Sequence, residues 1–491
     1  MHNEKAECGA LSPYLKKIGE YLDDYLLFKH PDAMNHALSW QRVLGGELPE
    51  TGLGIDALLK DMGQYLIPNG SQIPKPGCTS FITTGASTIG VLASLSGSVA
   101  APQRLGLTAF NYLEELSLEW MAELFELPQG MQGVYTSGGS TANLIALGAA
   151  RQAAFEAIGI DVAEDGVQKT CRIYCSAATH RTIHRAAAAL GLGRSCVVNI
   201  PVDEQGCLCP IALEQQLEVD SNKNFVAIAI VANAGTTDSG SIDPLRVIGE
   251  LAHQFGIWYH IDGAYGLPGI LDPSVRPLFD GLVLADSVIV DPHKWLGAPI
   301  GIGAAYVRNR SLLERAFSQG SAHYLEGSFT EIKANDDYYN HDKTTSSMDS
   351  MGTPYSDYGL ELSAPSRGAV VWAIIREIGK EGLTERVCRH NAMARKVADL
   401  ANNHPNLEVA QKPTLSICCF RYVSDNGFDL NELNRQIHRQ MVLNGRNIPS
   451  TTLINGKLVI RPCFVGARTS WKQAQTLVDE VIELGDLITS K

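Results

Sequence analysis

Residues 287–295, Ser287-Val288-Ile289-Val290-Asp291-Pro292-His293-Lys294-Trp295, run a short apolar segment straight into a charged turn. Lysines are mostly solvated and snorkelling, so one set directly behind a buried strand is unusual, although a solvated side chain remains its ordinary reading when taken alone. Working outward, similar short apolar runs recur at 172–175, 196–200, 225–231, 257–261 and 302–307, with helical stretches between several of them. Continuous apolar strands separated by helices predict a mainly parallel sheet covered on both faces. Such a sheet places its ligands beyond the strand ends.

Several candidate residues fall at those ends. A lysine in a partly apolar site loses its proton more readily, and a neutral amine is what an aldehyde cofactor needs to form an imine. Upstream, Trp258-Tyr259-His260-Ile261-Asp262-Gly263-Ala264-Tyr265 ends a strand on Asp262. That aspartate could cap the next helix, or it could face a pyridine nitrogen and keep it protonated. Ala264 would leave room for a flat ring. Val134-Tyr135-Thr136-Ser137-Gly138-Gly139-Ser140-Thr141-Ala142-Asn143 opens an Ala/Leu-rich helix, where exposed backbone N–H groups and the helix dipole favour an anion. His180 follows the strand around Ile173 and could stack on a ring, and Thr237 lies in the loop after the strand ending near Val231. A structural histidine and a threonine satisfying its own backbone are the plainer readings of those two.

The bulk properties narrow the function class. A chain of 491 residues exceeds one ordinary core, so two or more domains are expected. The formal charge of -13, with no basic cluster, argues against a nucleic-acid partner. The eleven cysteines include no CxxC pair of a zinc site, so no metal is expected, and a reducing, cytoplasmic setting is. The N-terminus lacks the apolar core of a signal peptide. The uncharged stretch from Lys75 to Arg104 is too rich in Ser, Thr, Gly and Pro for a membrane span, and reads as buried or site-lining chain.

The pattern divides the chain into an N-terminal helical segment over 1–75, a large domain over 76–365 and a small α/β domain over 366–491. A helix is expected from Asn111 to Phe125, a long loop near 320–359, and C-terminal strands at 415–422 and 457–461. Ser470-Trp471-Lys472-Gln473 reads as the capping box of a last helix.

Together SGGSTAN, ATHRT, AGTT, HIDGAYG and DPHKW resemble the group II pyridoxal-phosphate-dependent amino-acid decarboxylases, which include the aromatic-L-amino-acid, histidine, glutamate and cysteine-sulfinate decarboxylases. The likeness runs from about residue 75 to the C-terminus. It implies the type I (aspartate aminotransferase-like) fold, with a mainly parallel seven-stranded sheet and a small C-terminal α/β domain. It also implies an obligate homodimer with active sites at the interface, the N-terminal segment packing on the partner. By this resemblance Lys294 holds pyridoxal 5'-phosphate as a Schiff base and His293 touches the cofactor beside it. Asp262 partners the pyridine nitrogen, Ala264 packs on the ring and His180 stacks on it. Gly139 and Ser140 bind the phosphate, and Thr237 lies near the cofactor edge.

A loop tyrosine of the aromatic decarboxylases, which helps protonate the substrate carbon, corresponds to Tyr324. Related aldehyde synthases have phenylalanine there, although the loop is longer here than in the family. The expected activity is therefore decarboxylation of an L-amino acid, with an aromatic side chain favoured by the apolar residues around Phe81–Ser98. Arg104 could instead pair with an acidic side chain. The rival readings are another reaction on the same fold (aldehyde synthesis, carbon–carbon cleavage or transamination) and a non-catalytic relative.

Overall fold

The computed structural model describes residues 10–28, 37–83, 85–102, 108–318 and 355–490. Seven strands form the main sheet: β2 (Gln132–Thr136), β3 (Cys171–Ser176), β4 (Val197–Ile200), β5 (Val226–Asn233), β6 (Trp258–Asp262), β7 (Ser287–Val290) and β8 (Gly303–Val307). Their spatial order is β2-β8-β7-β6-β5-β3-β4. β8 runs antiparallel to both of its neighbours, and the remaining six strands are parallel. The expected mainly parallel seven-stranded sheet is thus present. The apolar run of β5, Val226-Ala227-Ile228-Ala229-Ile230-Val231-Ala232, is buried from Ile228 onward, as befits a central strand covered on both faces.

Helices supply that cover. Helix α1 (Gly139–Glu156) lies against β5, β6, β7 and β8. Its alanines and glycines permit close approach to the sheet, and most of its interior positions are fully buried. Helix α2 (Arg367–Asn402) breaks at Gly379, where φ is +65°, a backbone state that glycine adopts without the Cβ penalty. Before the break it packs on the large domain: a Cβ on Gly368 would meet the backbone of Glu114 at 2.3 Å. After it, Met393, Ala394 and Val397 join Leu477, Val478 and Val481 in a second core. The hand-over between the cores falls after Val387 and before Met393, inside the helix and beyond the 365/366 cut suggested by the sequence pattern.

The smaller sheet has five strands, β1 (Cys78–Thr79), β9 (Leu407–Gln411), β10 (Cys419–Tyr422), β11 (Ile448–Ile454) and β12 (Lys457–Arg461), in the order β1-β11-β12-β10-β9. β1 pairs in parallel with β11, so a segment assigned by sequence to the large domain is a strand of the small one. The strand expected over 415–422 is shorter. Residues 414–416 bend, bringing Ser416 Oγ to 2.6 Å from the Tyr265 hydroxyl. The final helix, α3 (Trp471–Thr489), opens on the expected capping box, with the Ser470 N–H donating to Gln473 Oε1 at 2.8 Å. Among the described residues no helix is long and apolar enough to cross a membrane.

Candidate active site

The parallel strands deliver their C-terminal ends to one cleft of about 340 Å³, within the range of ligand pockets. β2 leads into Ser137-Gly138-Gly139, β3 into His180, β5 into Gly235 and Thr237, β6 ends on Asp262 and β7 leads into Asp291, His293 and Lys294. Asp262 is level with Ile289 of the neighbouring parallel strand, so Asp262 and the 291–294 turn leave the sheet at the same edge. Gly139, Ser140, His180, Thr237, Asp262, Ala264, His293 and Lys294, all singled out from sequence, line this cleft together. Tyr324, Gln103 and Arg104 lie outside the described residues.

At one corner the first turn of α1 starts at Gly138, whose φ of +131° admits glycine, and no side chain caps it. Its leading N–H groups therefore remain available to an anion. Ser137 and Thr141 hydroxyls lie 2.8 Å apart beside it. Gly139 is required sterically, since a Cβ there would come within 2.6 Å of Asp291 Oδ2. That oxygen is 3.1 Å from Lys294 Nζ, while Asp291 Oδ1 is buried without a hydrogen-bond partner. His293 is fixed by a 2.7 Å contact between its Nδ1 and the carbonyl of Ile302.

On the opposite wall, Asp262 is buried and accepts from the Ala264 N–H at 3.1 Å and from Asn143 Nδ2 at 3.0 Å. Asn143 Nδ2 also donates to Thr182 Oγ1 at 3.0 Å, and Thr182 Oγ1 is 3.0 Å from His180 Nδ1. His180 is exposed on its cleft side, yet desolvation of its inner edge lowers its pKa below the ordinary histidine value, against an upward pull from Asp262. Burial thus favours the neutral form of an imidazole that lines the cleft.

A second tier of residues escaped the sequence reading. Asn143 is one helical turn after Gly139, on the same face. Asn233 ends β5 and donates to Thr179 Oγ1 at 2.9 Å and to Asp243 Oδ2 at 2.8 Å, bracing the loop that presents His180. Spacing offered a signal for Asn143. For Asn233 and Asp243 the sequence offers none, because a buried polar residue and an exposed one look alike in it.

These groups suit a pyridine aldehyde phosphate: an amine for the aldehyde, a buried carboxylate for the ring nitrogen, and an uncapped helix start with a side-chain-free Gly139 for the phosphate. Residues 39–423 match the family model described as the pyridoxal-dependent decarboxylase conserved domain. The chain belongs to the pyridoxal-dependent decarboxylases.

Its cofactor is accordingly pyridoxal phosphate, and its class is that of pyridoxal-phosphate carboxy-lyases. Similar decarboxylases include an aromatic-L-amino-acid decarboxylase of Bacillus atrophaeus, 26% identical over 90% of this chain and 88% of the relative. An L-2,4-diaminobutyrate decarboxylase of Rhizobium meliloti (strain 1021) is 27% identical over 89% of this chain and 83% of the relative. The phenylacetaldehyde synthase of Arabidopsis thaliana is 26% identical, covering 85% of this chain and 83% of its own. Among solved structures, Oryza sativa TDC with PLP and tryptamine superposes with a TM-score of 0.85 at 22% identity over 99% of each chain, a likeness of fold.

Proposed function

We propose that this decarboxylase converts an L-amino acid, preferentially an aromatic one, to its amine and carbon dioxide, with the cofactor held as a Schiff base on Lys294. The observation behind the reading is that Lys294 and Asp262 leave adjacent parallel strands into one cleft, at whose corner a helix start is uncapped. Bound pyridoxal phosphate supplies an electron sink for the pair of electrons left when carbon dioxide departs. Every other task falls to the chain.

Lys294 Nζ supplies the amine and is held in an ion pair with Asp291 Oδ2 at 3.1 Å. The first-turn N–H groups of α1, with Gly139 and Ser140, would hold the phosphate end. Asp262 would serve the ring nitrogen, Ala264 and His180 would hold the ring, and Thr237 and His293 would bind beside it. Tyr324, an assignment that comes from sequence, or His180 would help to deliver the proton that the substrate carbon takes up.

The homodimer belongs to the same proposal. Phe81 is 60% exposed in the single chain, and Ile300, on the cleft rim, is 72% exposed. Large apolar groups in water, Ile300 at the cleft mouth among them, suit cover by a second copy, and they favour an aromatic substrate side chain over an acidic one. The relatives include both decarboxylases and aldehyde synthases, so the assay must read products. A panel of L-amino acids should show carbon dioxide release with the matching amine detected by mass spectrometry, greatest for an aromatic substrate. Aldehyde as main product would overturn the reaction assignment. Lys294→Ala should lose both turnover and the visible absorbance of the bound cofactor, and a fully active variant would refute the Lys294 role.

A further inference from the structure

The floor beneath Asp262 is threaded by a continuous run of hydrogen-bonding side chains, buried throughout except for the half-buried Trp258 at its start. Trp258 Nε1 is 2.7 Å from Ser287 Oγ, and Ser287 Oγ is 2.8 Å from His260 Nδ1. His260 Nε2 is 2.9 Å from Asn143 Oδ1, and Asn143 Nδ2 is 3.0 Å from Asp262 Oδ2. The register of β6 with β7 sets His260 opposite Ser287, and both side chains are wholly buried. Trp258 begins β6 at the far end of the sheet, in the wall of a second cavity, so the run crosses the sheet from one end to the other.

The direction of every bond follows from its two ends. An indole nitrogen can only donate, and an ionised carboxylate can only accept. Trp258 therefore donates to Ser287, which leaves the Ser287 hydroxyl hydrogen for His260 Nδ1. His260 must then bear its proton on Nε2, which donates to Asn143 Oδ1. The Asn143 amide has its NH2 left for Asp262, and for Thr182 Oγ1 at 3.0 Å. Read backwards from Asp262, the same assignments result. Burial lowers the pKa of His260 to about 4, so the ring is neutral and a single tautomer can persist.

We infer that Ser287, His260 and Asn143 are positioning residues for decarboxylation, forming a one-way chain of donors, anchored on Trp258, that aims the Asn143 amide at Asp262. The geometry makes Ser287 the polarity-setting member, because Trp258 can accept nothing and His260 Nδ1 is the acceptor left for the hydroxyl hydrogen. Without that hydroxyl, His260 Nδ1 could take the proton, Nε2 would lose it, and Asn143 would meet an acceptor with its carbonyl. The amide would then turn, presenting oxygen to Asp262. This inference rests on Asp262 facing the ring nitrogen, yet its test begins in the protein and does not need that contact.

The test is solid-state NMR of the 15N-histidine-labelled holoenzyme, with His260 assigned by its loss in His260→Gln. The expected result is a neutral His260 protonated on Nε2 alone in the parent. Ser287→Ala removes the donor to Nδ1 and should give mixed tautomers, whereas Trp258→Phe leaves that hydroxyl in place and should keep the parent tautomer. A parent protonated on Nδ1, or an unchanged tautomer in Ser287→Ala, overturns the inference. Turnover provides the second arm. Loss of one hydrogen bond to a charged group predicts a fall in kcat of about tenfold or more with KM nearly unchanged. Tautomers that shift while kcat holds would refute the link to catalysis and leave the chain as a structural feature. If instead the visible band of the bound cofactor is indifferent to Asp262→Asn, the ring-nitrogen assignment itself fails, separately from the chain.

Discussion

Asp243 lies beneath the cofactor loops, and its replacement gives a quantitative test of how the site is braced. Its buried carboxylate accepts from the Leu208 N–H at 2.7 Å, the Asn233 N–H at 2.7 Å and Asn233 Nδ2 at 2.8 Å. Asp243→Ala strips two buried backbone N–H groups of these acceptors, while Asn233 Nδ2 retains Thr179. At about 1–3 kcal/mol for each unsatisfied donor, the loss is about 2–6 kcal/mol. Asp243→Asn can turn its oxygen toward Asn233, but its NH2 then meets the Leu208 N–H, so about 1–3 kcal/mol is lost.

The pH dependence has a definite sign. Burial raises the Asp243 carboxyl from 3.8 to about 6, against the lowering effect of its N–H donors. A folded-state value above the unfolded one means that the native protein keeps a proton the unfolded chain has shed. This contribution favours the native state most below 3.8 and is lost as pH rises through about 6. Two units correspond to about 3 kcal/mol over the full range, of which about 1.4 kcal/mol falls between pH 5 and pH 7.5. Urea denaturation of parent and Asp243→Ala at those two pH values should therefore show a gap that narrows at the higher one. Cofactor titration should show weaker binding in the variant, because Asn233, which holds Thr179 beside His180, loses the carboxylate that fixes its own backbone and amide. A variant within about 0.5 kcal/mol of the parent at both pH values would refute this account of the brace.

Gly139→Ala places a methyl 2.6 Å from Asp291 Oδ2, an overpacking cost of about 1–3 kcal/mol. The ratio of pyridoxal phosphate to pyridoxal affinity should drop about tenfold, since only the phosphate uses that corner. His180→Ala should weaken cofactor retention; His180→Phe should restore retention, measured by dialysis and absorbance, without restoring turnover. Arg310 is buried and donates to Glu115 Oε1 at 3.0 Å and to the Gly133 carbonyl at 3.0 Å. Arg310→Met should cost about 3–5 kcal/mol in denaturant unfolding, because it removes the cation from a buried pair.

Six of the seven strands of the large sheet were legible as short apolar runs between helical stretches, while β2, which opens on an exposed Gln132, was not singled out. β9 and β11 were not legible either. Leu407-Glu408-Val409-Ala410-Gln411 and Ile448-Pro449-Ser450-Thr451-Thr452-Leu453-Ile454 are half-buried, and their mixed composition resembles a loop. β1 is two residues long and owes its existence to β11, 370 positions away. The site divides in the same manner. Lys294, Asp262 and Gly139 stand at the junction of an apolar run with a turn, where sequence marks a change of environment. Asn143, Asn233 and Asp243 act through burial and mutual orientation, which only the packed chain creates.

Arg461 shows why the two sheets function together. It is buried at the end of β12, and its guanidinium donates to the carbonyls of Ser80, Thr237 and Asp238 and to Ser450 Oγ. Thr452 Oγ1 also reaches Asp238 Oδ1 at 2.8 Å. The loop that brings Thr237 to the cleft is therefore held from the small domain, while its other flank belongs to β5. Ser80 follows β1, so the same cation ties down the chain that runs on to Phe81. A buried guanidinium satisfied largely by main-chain carbonyls is sensitive to the placement of each one, and a shift of the small sheet would strand it. On the proposed site, cofactor binding at the Thr237 loop should therefore be coupled to the seating of the small sheet. A bound cofactor should protect the 236–238 and 450–461 amides from hydrogen exchange together, and protection of the first without the second would break the link.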